Sequence, residues 1–157
     1  MNSAERERLV AQYAAGYDTI LGALEAITAD EWEAREAPGE WSPRQVVHHL
    51  ADSEMTSAIR LRRLIAEDNP TIVGYDQDLF ADRLFYNRPV DASLAAFKAA
   101  RDATVPILRL LDDAQWQRAG THSESGRYAV EDWLQMYAEH ADIHADQIRR
   151  ARATVTG

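Results

Sequence analysis

The sequence predicts an all-α chain, a single helical domain over residues 1–157. Three observations carry that expectation. Apolar residues recur at three- and four-residue intervals through four long segments, the spacing that puts side chains on one face of a helix. Helix start and stop signals stand between those segments, at Ser42-Pro43 and at Asn69-Pro70. And 157 residues are enough to bury a core without disulfides or other staples.

The first helix is expected over roughly Ala4 to Ile27, with Leu9, Tyr13, Ile20 and Leu24 at helical spacing, and the chain breaks at Ala37-Pro38-Gly39. The second opens on Trp41-Ser42-Pro43-Arg44-Gln45-Val46. Ser42 is an N-cap, Pro43 takes the first helical position, Gln45 completes a capping box, and Trp41 and Val46 are spaced as a hydrophobic staple. This helix runs to about Glu67, where Asn69-Pro70 ends it. Residues 68–90 form a long connection, too apolar (Tyr75, Leu79, Phe80, Leu84, Phe85, Tyr86) to be a free linker. It is expected to pack on the helices with a short helix around Gln77 to Leu84. A connection of this length is often functional, or lets two neighbouring helices run parallel. The third helix spans about Ala92 to Leu111, bent at Pro106, and the fourth about Ala129 to Ala153, with no clear cap at its start. A faint repeat links Ile27-Thr28-Ala29-Asp30-Glu31-Trp32 with Leu111-Asp112-Asp113-Ala114-Gln115-Trp116, each read as the end of a helix whose successor carries histidine. It hints at two helical hairpins facing each other, with the histidine-bearing helices together.

Composition narrows the chemistry. Against 17 Lys and Arg stand 26 Asp and Glu, a net charge of −9 that repels phosphate backbones and speaks against nucleic-acid binding. The absence of cysteine excludes disulfides, thiolate metal ligands and a cysteine nucleophile, so a metal would be held by His, Asp or Glu. Neither an apolar leader nor a window long enough to span a membrane is present, and a soluble cytoplasmic protein is expected.

Within the fourth helix, His140 and His144 lie four residues apart on the face that also carries Trp133, Tyr137, Ile148 and Ala151. Two imidazoles facing a core need partners, and a divalent metal ion satisfies both at once. The second helix offers His48 and His49 as a third ligand. They point about 100° apart, so at most one aims at a common centre. The apolar stripe of Val46, Val47, Leu50, Leu61 and Leu64 does not decide between them. A polar stripe of Asp52, Ser53, Thr56 and Arg60 leans toward His49, leaving His48 solvated or paired locally. Three imidazoles on two helices suit zinc, nickel or another borderline divalent ion, and they leave positions open for water or substrate. Zinc lowers the pKa of a bound water toward about 7. Asp52, Glu54, Glu139 and Asp142 are the carboxylates near enough in sequence to back the ligands.

Bland readings stand beside these. A buried histidine is more often a satisfied core residue, and an HxxxH pair occurs by chance. His122 reads as surface; Trp32, Trp41, Trp116 and Trp133 read as core anchors rather than ligand stackers; Glu5–Arg8 and the arginines around Arg149 read as solvated faces. Phosphate loops, nucleophile elbows and HExxH motifs are absent.

The run Trp41-Ser42-Pro43-Arg44-Gln45-Val46-Val47-His48-His49-Leu50-Ala51-Asp52-Ser53, followed by Ile59-Arg60, resembles the second-helix signature of the DinB/YfiT-like superfamily of metalloenzymes. Tyr137-x-x-His140-x-x-x-His144-x-x-x-Ile148 is similar to its last-helix pattern, and Pro70 with Tyr75-Asp76 resembles the YfiT-like branch, a group named for metal-dependent hydrolysis. The resemblance implies a four-helix bundle with a long crossover between helices two and three, a bound zinc or nickel ion, and a homodimer. It assigns His49, His140 and His144 as the metal ligands. The last helix departs from the branch in carrying no further histidine around the pair, which argues against a histidine proton shuttle there.

The function expected is therefore metal-dependent hydrolysis of a small-molecule substrate. One alternative is a transferase or isomerase using a low-molecular-weight thiol, which a cysteine-free chain would take as cosubstrate. Another is a non-catalytic metal-binding bundle. Arg60, on the polar stripe, is the candidate anchor for an anionic substrate. It lies about 16 Å up the helix axis from His49, within reach only of the far end of a long substrate.

Overall fold

The structure is a computed structural model and describes residues 1–156. Four long helices form the bundle: α1 (Ser3–Leu24), α3 (Pro43–Ala66), α5 (Asp91–Leu110) and α7 (Val130–Thr156). Between the first two lies the short α2 (Ala29–Glu33). The crossover from α3 to α5 carries β1 (Thr71–Ile72) and α4 (Gln77–Arg83). The stretch from α5 to α7 carries α6 (Asp113–Trp116), β2 (Ala119–His122) and β3 (Gly126–Ala129).

Local signals explain most of these boundaries. Ser42 caps α3 from the N–H of Gln45, whose side chain returns to the Ser42 N–H. The repeat seen in the sequence marks a different device from the one expected. Helix α1 stops at Leu24 rather than Ile27, and Thr28 with Glu31 forms a capping box that starts α2. Asp112 with Gln115 does the same for α6. The similar hexapeptides are thus two short capped helices rather than two helix ends. Helix α7 has no Ser, Thr or Asn cap; it leaves β3 directly, and Asp132 accepts the Ala129 N–H at 2.8 Å. Helix α5 runs through Pro106.

A small sheet was not anticipated. β2 and β3 pair as an antiparallel hairpin from Ala119↔Ala129 to His122↔Gly126, with Gly126 at φ 79° in the turn. β1 adds to β2 in parallel through Thr71↔Thr121 and Ile72↔His122. At Gly120 a Cβ would stand 2.3 Å from the Pro70 carbonyl, so glycine lets the two chains close. The sheet pins the long crossover to the start of α7.

Helix α1 packs beside α7, and α3 beside α5; α1 also meets α5, and α3 meets α7. Helices α1 and α3, and likewise α5 and α7, therefore lie across the bundle from each other instead of forming the facing hairpins expected, while the histidine-bearing α3 and α7 are neighbours, as expected. The core has two apolar halves. One gathers Leu9, Leu61, Leu64, Leu108, Trp133 and Leu134; the other gathers Ile20, Val46, Val47, Leu50, Phe97 and Ile148.

A polar layer crosses the bundle where those halves meet. Arg101 of α5, 1 % exposed, donates Nε to Glu54 Oε2 at 2.8 Å, Nη1 to the Tyr13 carbonyl at 2.6 Å and Nη2 to the Tyr137 carbonyl at 3.1 Å. The Tyr13 hydroxyl donates to Glu54 Oε1. Gly16 makes room for this, because a Cβ there would stand 2.0 Å from Arg101 Nη1. One side chain thereby ties all four long helices together.

A candidate metal centre between α3 and α7

His49, 3 % exposed, projects from α3, and His140 and His144 project from one face of α7. Their Nε2 atoms converge. His140 Nε2 lies 3.3 Å from His49 Nε2 and 3.1 Å from His144 Nε2. All three ligand-type nitrogens fall within 4.8 Å of one another, and they are the one group of three such residues among the described residues. The rings stand edge-on, His140 to His144 at 90° and His49 to His140 at 66°.

Burial sets their protonation. Removal from water holds His49 down to about 3, helped by the neighbouring His144; it pushes His140 well below the ordinary imidazole value and lowers His144. All three are neutral at pH 7. The His144 Nδ1–H donates to Gln147 Oε1 at 2.8 Å, which leaves the His144 Nε2 lone pair turned toward the centre. The Nδ1 atoms of His49 and His140 are buried with no partner. Three neutral rings cannot satisfy one another across three converging nitrogens.

The carboxylates expected behind the ligands go elsewhere. Asp52 accepts the Tyr86 hydroxyl at 2.6 Å, Glu54 belongs to the Arg101 layer, Asp142 accepts from Gln12, and Glu139 is exposed. Gln147 is the backing residue that sequence reading missed; its position three residues beyond His144 was the available signal. His48 is not solvated. It is fully buried and turned to the far side of α3, with Nδ1 at 2.7 Å from Ser93 Oγ and Nε2 at 3.0 Å from the Arg88 carbonyl, so it ties α3 to α5. Trp41 does more than anchor the core: its ring packs 4.7 Å from that of His49. Nor are all the charged faces solvated, since Arg6 pairs with Glu131 at 2.8 Å and Arg152 with Glu31 at 3.1 Å.

The three histidines stand between two openings. On one side a cavity of about 480 Å³ is bounded by Trp41, Gln77, Asp78 and Gln147. On the other a cavity of about 290 Å³ runs from His49 and His140 to Ser53, Tyr75, Tyr137 and Arg60. Arg60 is thus brought to the cleft despite its separation along the helix, because helical side chains lean toward the N-terminus and an arginine is long. His122, expected on the surface, is half-buried and lines the same cavity.

This geometry is carried by a chain whose residues 12–148 match the profile of the DinB superfamily. The protein belongs to the DinB superfamily. Proteins bearing the provisional name of metal-dependent hydrolase align with it: one from Oceanobacillus iheyensis at 38 % identity over 70 % of this chain and 64 % of its own length, and one from Bacillus mycoides at 35 % over 73 % and 66 %. The chain thus spans just under two thirds of the length of those two relatives. Among solved structures, YfiT from Bacillus subtilis superposes with a TM-score of 0.92 at 25 % identity, covering 99 % of this chain and 90 % of that one. It is described as a probable metal-dependent hydrolase with an unusual four-helix bundle topology, and the crossed helix order of this DinB chain agrees with that topology. A mycothiol-dependent maleylpyruvate isomerase shares the fold at a TM-score of 0.70 and 13 % identity, over 94 % of this chain and 63 % of that one. Among the described residues, no helix is long and apolar enough to cross a membrane.

Proposed function

We propose that His49, His140 and His144 bind one divalent ion, zinc or nickel, and that the protein hydrolyses a small substrate at that site. The observation that carries this reading is the convergence of three neutral imidazole Nε2 atoms at 3.1 and 3.3 Å in a cleft open to solvent. Nitrogens bound to one tetrahedral ion at about 2.05 Å lie about 3.3 Å apart. The donor set suits zinc and nickel, and three protein ligands leave positions for water or substrate. Such an ion, when bound, supplies Lewis acidity toward a substrate carbonyl and toward water. The protein's own residues do the rest. Gln147 fixes the tautomer and rotation of His144. Trp41 and Tyr137 wall the rings of His49 and His140 and keep bulk water from behind them. The buried Arg101 layer holds the Tyr137 turn of α7 against α1 and α3, so that the ligands from two helices keep their register. A cytoplasmic homodimer is part of the same proposal, by likeness to the family.

Metal analysis of protein purified without a histidine tag tests the reading. Close to one zinc or nickel ion per chain is expected, absent in His140→Ala, together with chelator-sensitive hydrolysis in a panel of small amides and esters. No bound ion in the wild type, or equal metal affinity in the variant, overturns the site. Turnover that requires an added low-molecular-weight thiol overturns the hydrolase assignment in favour of thiol-dependent transfer.

A further inference from the structure

The smaller cavity has two chemically different ends, His49 and His140 at one and Arg60 at the other. Arg60 is pinned from behind: Nη2 donates to the Val73 carbonyl at 2.6 Å, and the guanidinium lies 5.7 Å over the ring of Tyr75. A guanidinium carries five N–H donors in a planar fork. The bond to Val73 occupies one, and among the described residues no carboxylate forms an ion pair with Arg60. Arg6, Arg101 and Arg152, by contrast, each hold a carboxylate. Ser53 and Tyr137, each with a hydroxyl, line the same cavity as Arg60. Donors therefore gather at this end of the chamber. The opposing charge is Glu124, an exposed residue at the mouth, where its carboxylate covers Gly74.

We propose that the Arg60 end of this chamber binds a carboxylate of the substrate while the reacting group lies against the His49–His140 edge, so that the substrate class is small carboxylic acids. This rests on the hydrolase reading of the three histidines and gives it a substrate class. A chamber of about 290 Å³ admits a short acid. The fork geometry of arginine favours a planar carboxylate, and two hydrogen-bonded donors on a charged acceptor are worth more than a neutral pair. The expectation that Arg60 reaches only the distal end of a long substrate is thereby replaced: the cavity brings it close enough for a short one.

Calorimetric titration of succinate and glutarate, with neutral succinamide as control, tests this on both zinc-loaded and metal-free protein. Wild type binds one of the two diacids and not succinamide. Arg60→Gln weakens diacid binding at least about tenfold, Arg60→Lys recovers part of it, and Glu124→Gln tightens it a few-fold by removing the opposing charge. Zinc uptake is unchanged in all three variants, and their melting temperatures report any loss of the Val73 contact. Equal diacid affinity in wild type and Arg60→Gln, or no diacid binding to wild type, overturns the proposal whatever the metal content. Failure of the wild type to take up either zinc or nickel overturns the hydrolase reading alone.

Discussion

Two clusters of polar side chains are buried in this bundle, and they are built on opposite principles. In the Glu54–Arg101 layer every side-chain nitrogen and oxygen has a partner: one guanidinium donates to a carboxylate and two carbonyls, and a tyrosine hydroxyl donates to the other oxygen of that carboxylate. In the histidine cluster, a few residues away on the same helices α3 and α7, two Nδ1 atoms have no partner and three Nε2 atoms face one another. The first cluster is complete without any ligand and holds helices together. In the second, the three Nε2 atoms are met only by something that accepts three lone pairs. An unsatisfied buried group costs about 1–3 kcal/mol, so such a cluster in the metal-free protein is a local weakness. Burial alone does not mark a functional site; burial with converging, unmet valences does.

That difference can be broken first at its structural side. Arg101→Met leaves Glu54 buried without its cation and is expected to lower unfolding free energy by about 3–5 kcal/mol in a urea titration, while the folded fraction still binds metal. His140→Leu is expected to do the reverse. Metal affinity falls by more than about 100-fold, beyond what loss of a backing residue costs, and the metal-free protein is as stable as wild type or more so, because an unsatisfied imidazole has gone. Destabilisation of the metal-free protein as large as that of Arg101→Met would make the histidines ordinary core residues.

Acid sharpens the contrast. His48, His49, His140 and His144 are all held below the ordinary imidazole value, chiefly by burial, so the unfolded chain takes up protons that the folded chain refuses. Stability of the metal-free protein therefore falls as pH drops below about 6.5, by up to about 1.4 kcal/mol per pH unit per histidine, down to about 3 where His49 itself protonates in the fold. Urea midpoints between pH 7 and 5 read this slope, which should be shallower in His140→Leu. The smallest effect belongs to Gln147→Ala, which frees the His144 ring and costs about tenfold in metal affinity with stability unchanged.

The histidine pair was legible because its spacing lies within one helix, and the four long helices were legible for the same reason. The Ser42–Gln45 capping box is as local a signal. What lay beyond the sequence was set by partners distant along the chain. Arg101 sits 47 residues from Glu54 and looks like a solvated charge when α5 is read alone. The choice between His48 and His49 depended on which neighbour each met, and Ser93 and the Arg88 carbonyl claim His48. The sheet escaped because β1 has two residues and β2 reads Ala-Gly-Thr-His, with no alternation to betray a strand. The helix order escaped because periodicity gives the buried face of each helix and not which neighbour covers it.

The central claim is that the second cluster is a metal site, and stability with and without metal tests it most directly. Urea unfolding of untagged wild type and His140→Leu, each metal-free and with saturating zinc or nickel, should show a rise of about 3–4 kcal/mol for wild type at 100 to 1,000 times the dissociation constant. His140→Leu should show none at the same concentrations. An equal rise in both proteins, or no rise in wild type with either ion, would contradict it.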